Sequence, residues 1–197
     1  MTTLSSTTTT VAKPVGTAGA YIDTILRHHN AHRANASVPN LVWSDTMAQN
    51  AQTAATGCVY QHNLTPGGGG YGQNIGAGYL STQMGAFITE GMYNNEVNNY
   101  PTPYGANNPD LSNFSEWGHY SQIVWGATTE VGCYTADCSA TGLTNTAGTP
   151  PYFTVCNYYP AGNVVGQFSQ VGTPLGGPTI HANYECTDYS NCEGPTT

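Results

Sequence analysis

Six histidines and six cysteines are the side chains of this sequence best suited to metal or proton chemistry. His28, His29 and His32 stand at i, i+1 and i+4, so a helix would bring His28 and His32 onto one face, where a metal could use both imidazoles. The competing use of the segment is structural, with His29 and Arg33 packed inward. His62 follows Cys58 by four residues and borders the break Pro66-Gly-Gly-Gly-Gly70. His119 sits between Gly118 and Tyr120, where an imidazole hydrogen-bonded in the core is the alternative to a ligand. Glu96 lies in an Asn-rich run and, by itself, reads as a solvated acid. Two catalytic patterns are absent: no G-x-S-x-G elbow and no HE-x-x-H helix occurs. Gly67 to Gly70 are not followed by GK[ST] and form a turn rather than a phosphate cradle.

Three helices are expected to come first. Ile22, Ile25, Leu26 and His29 recur at helical spacing from Tyr21, and Pro39 closes that segment. Ser44 reads as an N-cap with Asp45 in the first turn, followed by Met47, Ala48, Ala51, Ala54 and Ala55 on one face and Gly57 at the end. A third helix starts at Ser81, buries Met84, Phe87, Ile88 and Met92, and stops at Tyr100-Pro101. Strands are then expected at 122–125, 130–134, 152–156 and 163–168, separated by Gly, Thr and Pro turns. Helices followed by hairpin strands give an α+β class with an antiparallel sheet covered by helices. The boundaries read as a Thr/Ser-rich leader over 1–20, one domain over 21–171, and a Gly/Pro-rich extension over 172–197.

Composition narrows the partners. Charged residues are 7% of the chain, and three Lys and Arg face eleven acids for a formal charge of −8. Nucleic acid binding needs clustered cations, and so does polybasic attachment to an anionic membrane. Neither is expected. No apolar run of eighteen residues exists, which excludes a membrane span. The even cysteine count reads as disulfides, because Cys133-x4-Cys138 and Cys186-x5-Cys192 match zinc knuckles weakly. Sequons at Asn35, Asn63 and Asn113 agree with secretion and glycosylation. No apolar stretch follows Met1, so the chain is read as extracellular with its signal segment absent.

Four segments, in order, carry a family resemblance: HHNAHR at 28–33, GQNI at 72–75, GHYSQIVW at 118–125 and CNYYPAGNVVG at 156–166. They resemble the signatures HN-x-x-R, GEN-I/L, GHYTQ-x-VW and CNY-x-P-x-GN of the CAP superfamily, the sperm-coating and pathogenesis-related class 1 proteins. The resemblance covers roughly 21–169 and is nearest to the fungal members. It implies an α-β-α sandwich and a shallow cleft lined by His62, position 73, Glu96 and His119. The family usually has Glu at position 73 and this chain has Gln73. A divalent metal such as Zn or Mg is therefore expected to bind weakly, and no cofactor is required. The resemblance also pairs Cys58 with Cys138 and Cys133 with Cys156, leaving Cys186 with Cys192.

The function this implies is extracellular carriage of sterols or fatty acids, in defence against or interaction with a host. The loop over 98–113, with Tyr100, Pro101, Pro103 and Tyr104, reads as an amphipathic flap for a sterol ring. Val124 and Val131 match apolar positions that the family implicates in sterol binding. The alternatives are a metal-dependent hydrolase, in which Glu96 acts as base on a bound water, and a non-catalytic module that binds a host protein.

Overall fold

A computed structural model describes residues 18–175. The leader before residue 18 and the expected Cys186 to Cys192 pair lie outside the described residues. The order begins with α1 (Ala18–Asn35), β1 (Val42–Trp43), α2 (Asp45–Ala55) and β2 (Gly72–Ala77). A composite helix follows, with an α-turn α3 (Met84–Ala86) that widens into a π-helix over Phe87–Asn94. Last come α4 (Gly118–Ile123), β3 (Glu130–Asp137) and β4 (Tyr152–Tyr159).

The strands order as β1-β3-β4-β2. β4 pairs antiparallel with β3 and with β2, whereas β1 pairs parallel with β3 through two residues. The sheet is thus antiparallel with a short parallel edge. Both edge strands escape sequence reading for a physical reason. Val42–Trp43 is too short to show alternation, and GQNI has the glycine and amides of a loop while every one of its residues is paired by β4.

Helical layers cover the two faces. On one side α1, the composite helix and α4 bury Ile25, Met84, Phe87, Ile88, Met92, Tyr120 and Ile123 against Val131, Cys133, Cys156 and Tyr158. On the other, α2 lays Ala51, Ala54 and Ala55 against Ile75, Phe153 and Val155. The small residues of α2 permit close approach. A β-carbon at Gly132 would lie 2.2 Å from the Ala48 nitrogen, so only glycine fits beneath that helix. Ser44 caps α2 as expected, its hydroxyl accepting from the Met47 N–H. Cys58 is bonded to Cys138 and Cys133 to Cys156. The first bridge joins the end of α2 to the end of β3, and the second lies across neighbouring strands.

Two expected strands are not strands. Gln122 and Ile123 belong to α4, and only Trp125 makes a bridge, with Val171. Segment 163–168 is irregular and leads into a 3-10 turn at Phe168–Gln170. In both places the apolar run reflects burial rather than a strand. Ile123, Val124, Trp125 and Phe168 are all at most 1% exposed. The third helix is also less regular than its apolar stripe suggests, and 3-10 turns flank its α and π segments.

Arg33 welds α1 to this frame. Its guanidinium, fully buried, donates to the carbonyls of Pro39 (2.6 Å), Ile123 (2.9 Å), Trp125 (2.8 Å) and Thr128 (2.8 Å). A buried cation is tolerated when carbonyl dipoles replace its water. Here four do so without a carboxylate.

Candidate functional site

Four residues named from sequence fall into two hydrogen-bonded pairs. Glu96 follows the π-helix and is turned inward, 7% exposed. Its Oε2 accepts the main-chain N–H of His119 (2.8 Å) and of Tyr120 (2.9 Å). Those are N–H groups of the first turn of α4, which has no side-chain cap of its own. A carboxylate from 23 residues upstream in sequence therefore does the work of a cap and complements the helix dipole. Its Oε1 accepts His119 Nδ1–H at 2.5 Å. That bond fixes the tautomer and leaves Nε2 as a lone pair on a side chain 30% exposed. Glu96 is consequently a buried orienting group and not the solvated acid its Asn-rich surroundings suggest.

The second pair is His62 with Gln73, and Gln73 uses its whole amide. Oε1 accepts His62 Nδ1–H (3.1 Å) and Asn63 N–H (3.0 Å), while Nε2 donates to Asn63 O (3.0 Å) and Asn157 Oδ1 (2.9 Å). The amide closes on both main-chain groups of Asn63 as a neighbouring strand residue would. His62 is exposed and, held at Nδ1, also keeps Nε2 as a lone pair.

Sequence reasoning missed the residues that join the pairs. Asn74, beside Gln73, donates to His119 O (3.1 Å) and to the Tyr158 hydroxyl (3.3 Å). Tyr158 donates to His29 Nε2 (2.8 Å), and His29 Nδ1–H donates to Ile25 O (2.8 Å). Burial raises the Tyr158 phenol well above its ordinary pKa and lowers His29 to about 4, so both are neutral. Asn163 holds α4 from outside, its Nδ2 donating to Gly118 O (2.8 Å) and its Oδ1 accepting from Ser121 Oγ (2.6 Å). Asn74, Asn157 and Asn163 all lie inside motifs legible in the sequence. Their long-range partners do not.

His28 and His32 do meet, but on Thr89. His28 Nδ1 and His32 Nε2 each lie 2.8 Å from its hydroxyl. Both rings are buried, and burial lowers His28 to about 4 and His32 well below its ordinary value. That is a core contact.

For a metal, the fit is limited. Among the described residues no three His, Cys, Asp or Glu gather in an arrangement that would hold an ion. His62 and His119 each offer a free Nε2, while Glu96 and Gln73 are committed to orienting them.

The expected lipid contacts are differently placed. Val124 and Val131 are fully buried, so neither meets a ligand without opening the core. Tyr100 is 5% exposed, stacked on Tyr104 at 4.8 Å and set edge-on to Trp117 and Tyr120. The tyrosines of the flap thus anchor it, and the Tyr104 hydroxyl lies 3.1 Å from that of Tyr120. Pro103 follows a cis peptide bond and is exposed, with Pro101 partly so. Leu111 and Phe114, unremarkable in the sequence, are the large apolar side chains this segment exposes. Of the sequons, Asn113 is exposed, Asn63 borders His62, and Asn35 donates to the Tyr93 hydroxyl (3.3 Å).

Residues 26–158 match the family model described as CAP, the cysteine-rich secretory protein family. The chain belongs to the CAP family. It is 48% identical over 154 residues to a probable pathogenesis-related protein of Arthroderma benhamiae, covering 78% of this chain and 49% of that protein. Protein PRY2 of Saccharomyces cerevisiae is 36% identical over 152 residues, covering 77% and 40%. The CAP chain therefore spans half or less of the length of these fungal relatives. A solved structure of NaASP2 with Zn2+ superposes with a TM-score of 0.62 at 21% identity, covering 83% of this chain and 91% of that one. This likeness supports the α-β-α fold alone.

Proposed function

We propose that this CAP domain acts outside the cell as a non-catalytic carrier of sterols or fatty acids, with the segment over 101–116 as the contact surface. The observation that supports the reading is Leu111 and Phe114, 39% and 38% exposed, on a segment anchored by Tyr100, Tyr104 and Trp117. Phe114 packs edge-on against Trp117 at 4.9 Å and abuts Gly118, so it borders the His119 pair. The segment's only charges are Asp110 and Glu116. Burying sterol area at ~25 cal/mol per Å2 supplies affinity without an ionic contact. The extracellular setting rests on the disulfides, the family and the sequons, of which Asn113 is best placed to carry a glycan. Among the described residues no helix is long and apolar enough to cross a membrane.

Equilibrium binding of radiolabelled cholesteryl acetate and of palmitate tests the proposal. Saturable binding is expected, weakened at least tenfold by Leu111→Asp with Phe114→Asp and unchanged by His119→Ala. No binding at micromolar protein, or binding indifferent to the double change, overturns it. The second reading, a metal-dependent hydrolase, is favoured by the two Nδ1-anchored imidazoles. Zinc-dependent turnover abolished by His119→Ala would select it.

A further inference from the structure

Two packed helices ordinarily meet through apolar stripes, yet α1 meets the composite helix through a polar seam. His28, His32 and Asn35, at i, i+4 and i+7 on α1, face Gly85, Thr89 and Tyr93. A β-carbon on Gly85 would lie 2.6 Å from His28 Nε2, so the glycine makes room for that ring. Thr89 Oγ1 lies 2.8 Å from both His28 Nδ1 and His32 Nε2. His32 is stacked on Tyr93 with ring centroids 3.7 Å apart, and Asn35 donates to the Tyr93 hydroxyl. His28, His32 and Thr89 are at most 2% exposed.

The seam accommodates neutral imidazoles only. A hydroxyl has one proton, which Thr89 donates to one ring while it accepts N–H from the other. A second proton on His28 makes its Nδ1 a donor, so Thr89 can no longer donate to that ring. A second proton on His32 leaves N–H on Nδ1 as well as on Nε2, and Nδ1 is buried without a hydrogen-bond partner. Burial is the main effect holding both rings neutral; Arg27 adds to it at His28, His28 and His29 add to it at His32, and Glu90 of the composite helix acts against it at His28. The phenols of Tyr93 and of Tyr120 on α4 are pushed upward by burial and stay uncharged.

The two sides of the seam are held unequally. Arg33 fixes α1 to four carbonyls, and the Tyr21 hydroxyl lies 3.0 Å from Thr135 Oγ1 on β3. Neither described disulfide reaches the composite helix, whose α-turn spans three residues before it widens. Glu96 follows that helix and holds the first turn of α4, and Tyr93 sits edge-on to Tyr120, whose hydroxyl meets that of Tyr104. We propose that the seam is an acid-opened joint: when His28 and His32 take up protons the composite helix lifts from α1, drawing Glu96 off the first turn of α4, while α2 and the sheet stay in place. The device goes beyond the carrier function and does not depend on what the domain binds.

The folded value of His28 lies at about 4 and an opened ring binds its proton near 6.5, so the closed seam is held above 6.5 and loosens as pH falls toward 4. At pH 5, His28 alone favours the open form on the order of thirtyfold. Amide hydrogen exchange of the whole protein at pH 7.5 and 5.0, corrected for the intrinsic rate, tests this. Segments 84–96 and 118–121 should lose protection at least tenfold at pH 5.0, with segment 45–55 of α2 unchanged. His28→Asn with His32→Gln puts an amide where each ring meets Thr89 and removes both titrations. Its protection over 84–96 should change by no more than about twofold between the two pH values. Equal loss across α2, no loss over 84–96, or a tenfold loss that persists in the double variant would overturn the proposal. The comparison between segments uses the native chain, so it decides the matter even where the double variant does not fold.

Discussion

Replacing Gln73 with Glu gives the CAP domain the acid its family usually carries, yet the structure predicts a loss of stability. Both amide donors disappear, and a carboxylate oxygen is left facing Asn63 O and Asn157 Oδ1, which lie 3.0 and 2.9 Å from Nε2. Asn157 cannot turn its amide to help without giving up its bond to Met47 O (3.2 Å). Each hydrogen bond removed costs about 0.5–1.5 kcal/mol, and an acceptor left unpaired adds to that. The bond from His62 to a charged acceptor is strengthened, but His62 is exposed, and such a pair returns roughly 0–1 kcal/mol. The net loss is about 2–3 kcal/mol, or roughly 5–10 °C in Tm for a domain of this size. The carboxyl faces oxygens, so its folded pKa should rise above the unfolded value. Stability is then recovered as pH falls and lost as pH rises through the raised value. Thermal melts of both proteins at pH 7.5 and 4.5 measure this, with the difference expected to shrink at the lower pH. A Gln73→Glu protein as stable as wild type at pH 7.5 would refute the clamp assigned to Gln73.

Two further predictions concern the core. Arg33→Lys keeps the charge but presents one ammonium to carbonyls that a planar fork now reaches in four bonds. A loss of about 2–4 kcal/mol by urea titration is expected, and a loss under 0.5 kcal/mol would show that the carbonyls find other partners. The buried histidines set an acid limit: His28 and His29 are lowered to about 4, and His32 well below its ordinary value, all mainly by burial. The unfolded chain binds protons near pH 6.5, so stability present above that value is lost as pH falls toward 4. At pH 5 the loss is about 2 kcal/mol for each of His28 and His29, and His32 acts in the same direction. A melt series from pH 7.5 to 4.5 should slope steeply between 6.5 and 4.5, and a flat profile would contradict the burial of neutral imidazoles.

How much of this was legible in the sequence depends on how far away each residue's partner lies. Helix α1 was legible because Ile22, Ile25 and His29 answer to their own neighbours, and α2 because Ser44 caps it locally. Segment 122–125 was misread as a strand because what makes its beginning helical is Glu96, whose carboxylate holds the first N–H groups of α4 across 23 and 24 residues. No window of local sequence contains that contact. Strand β2 is hidden likewise, since Gly72 to Ile75 gain their extended form from β4, 80 or more residues on.

The same distinction governs the site. Family resemblance named His62, Gln73, Glu96 and His119, and it treated Gln73 as a deficit relative to Glu. The structure changes the meaning of that residue, because an amide has two donors where a carboxylate has none, and both are used. Gln73 remains an acceptor for His62, so the orienting role survives the change of residue. What is given up is negative charge near the imidazoles, and what is gained is a tie from the His62 loop through Asn157 to the Met47 carbonyl of α2. A cleft meant to hold a metal tightly would keep the charge. One that serves as the rigid border of the proposed binding surface is better served by the tie, and Phe114, 38% exposed, lies beside Gly118 at that border.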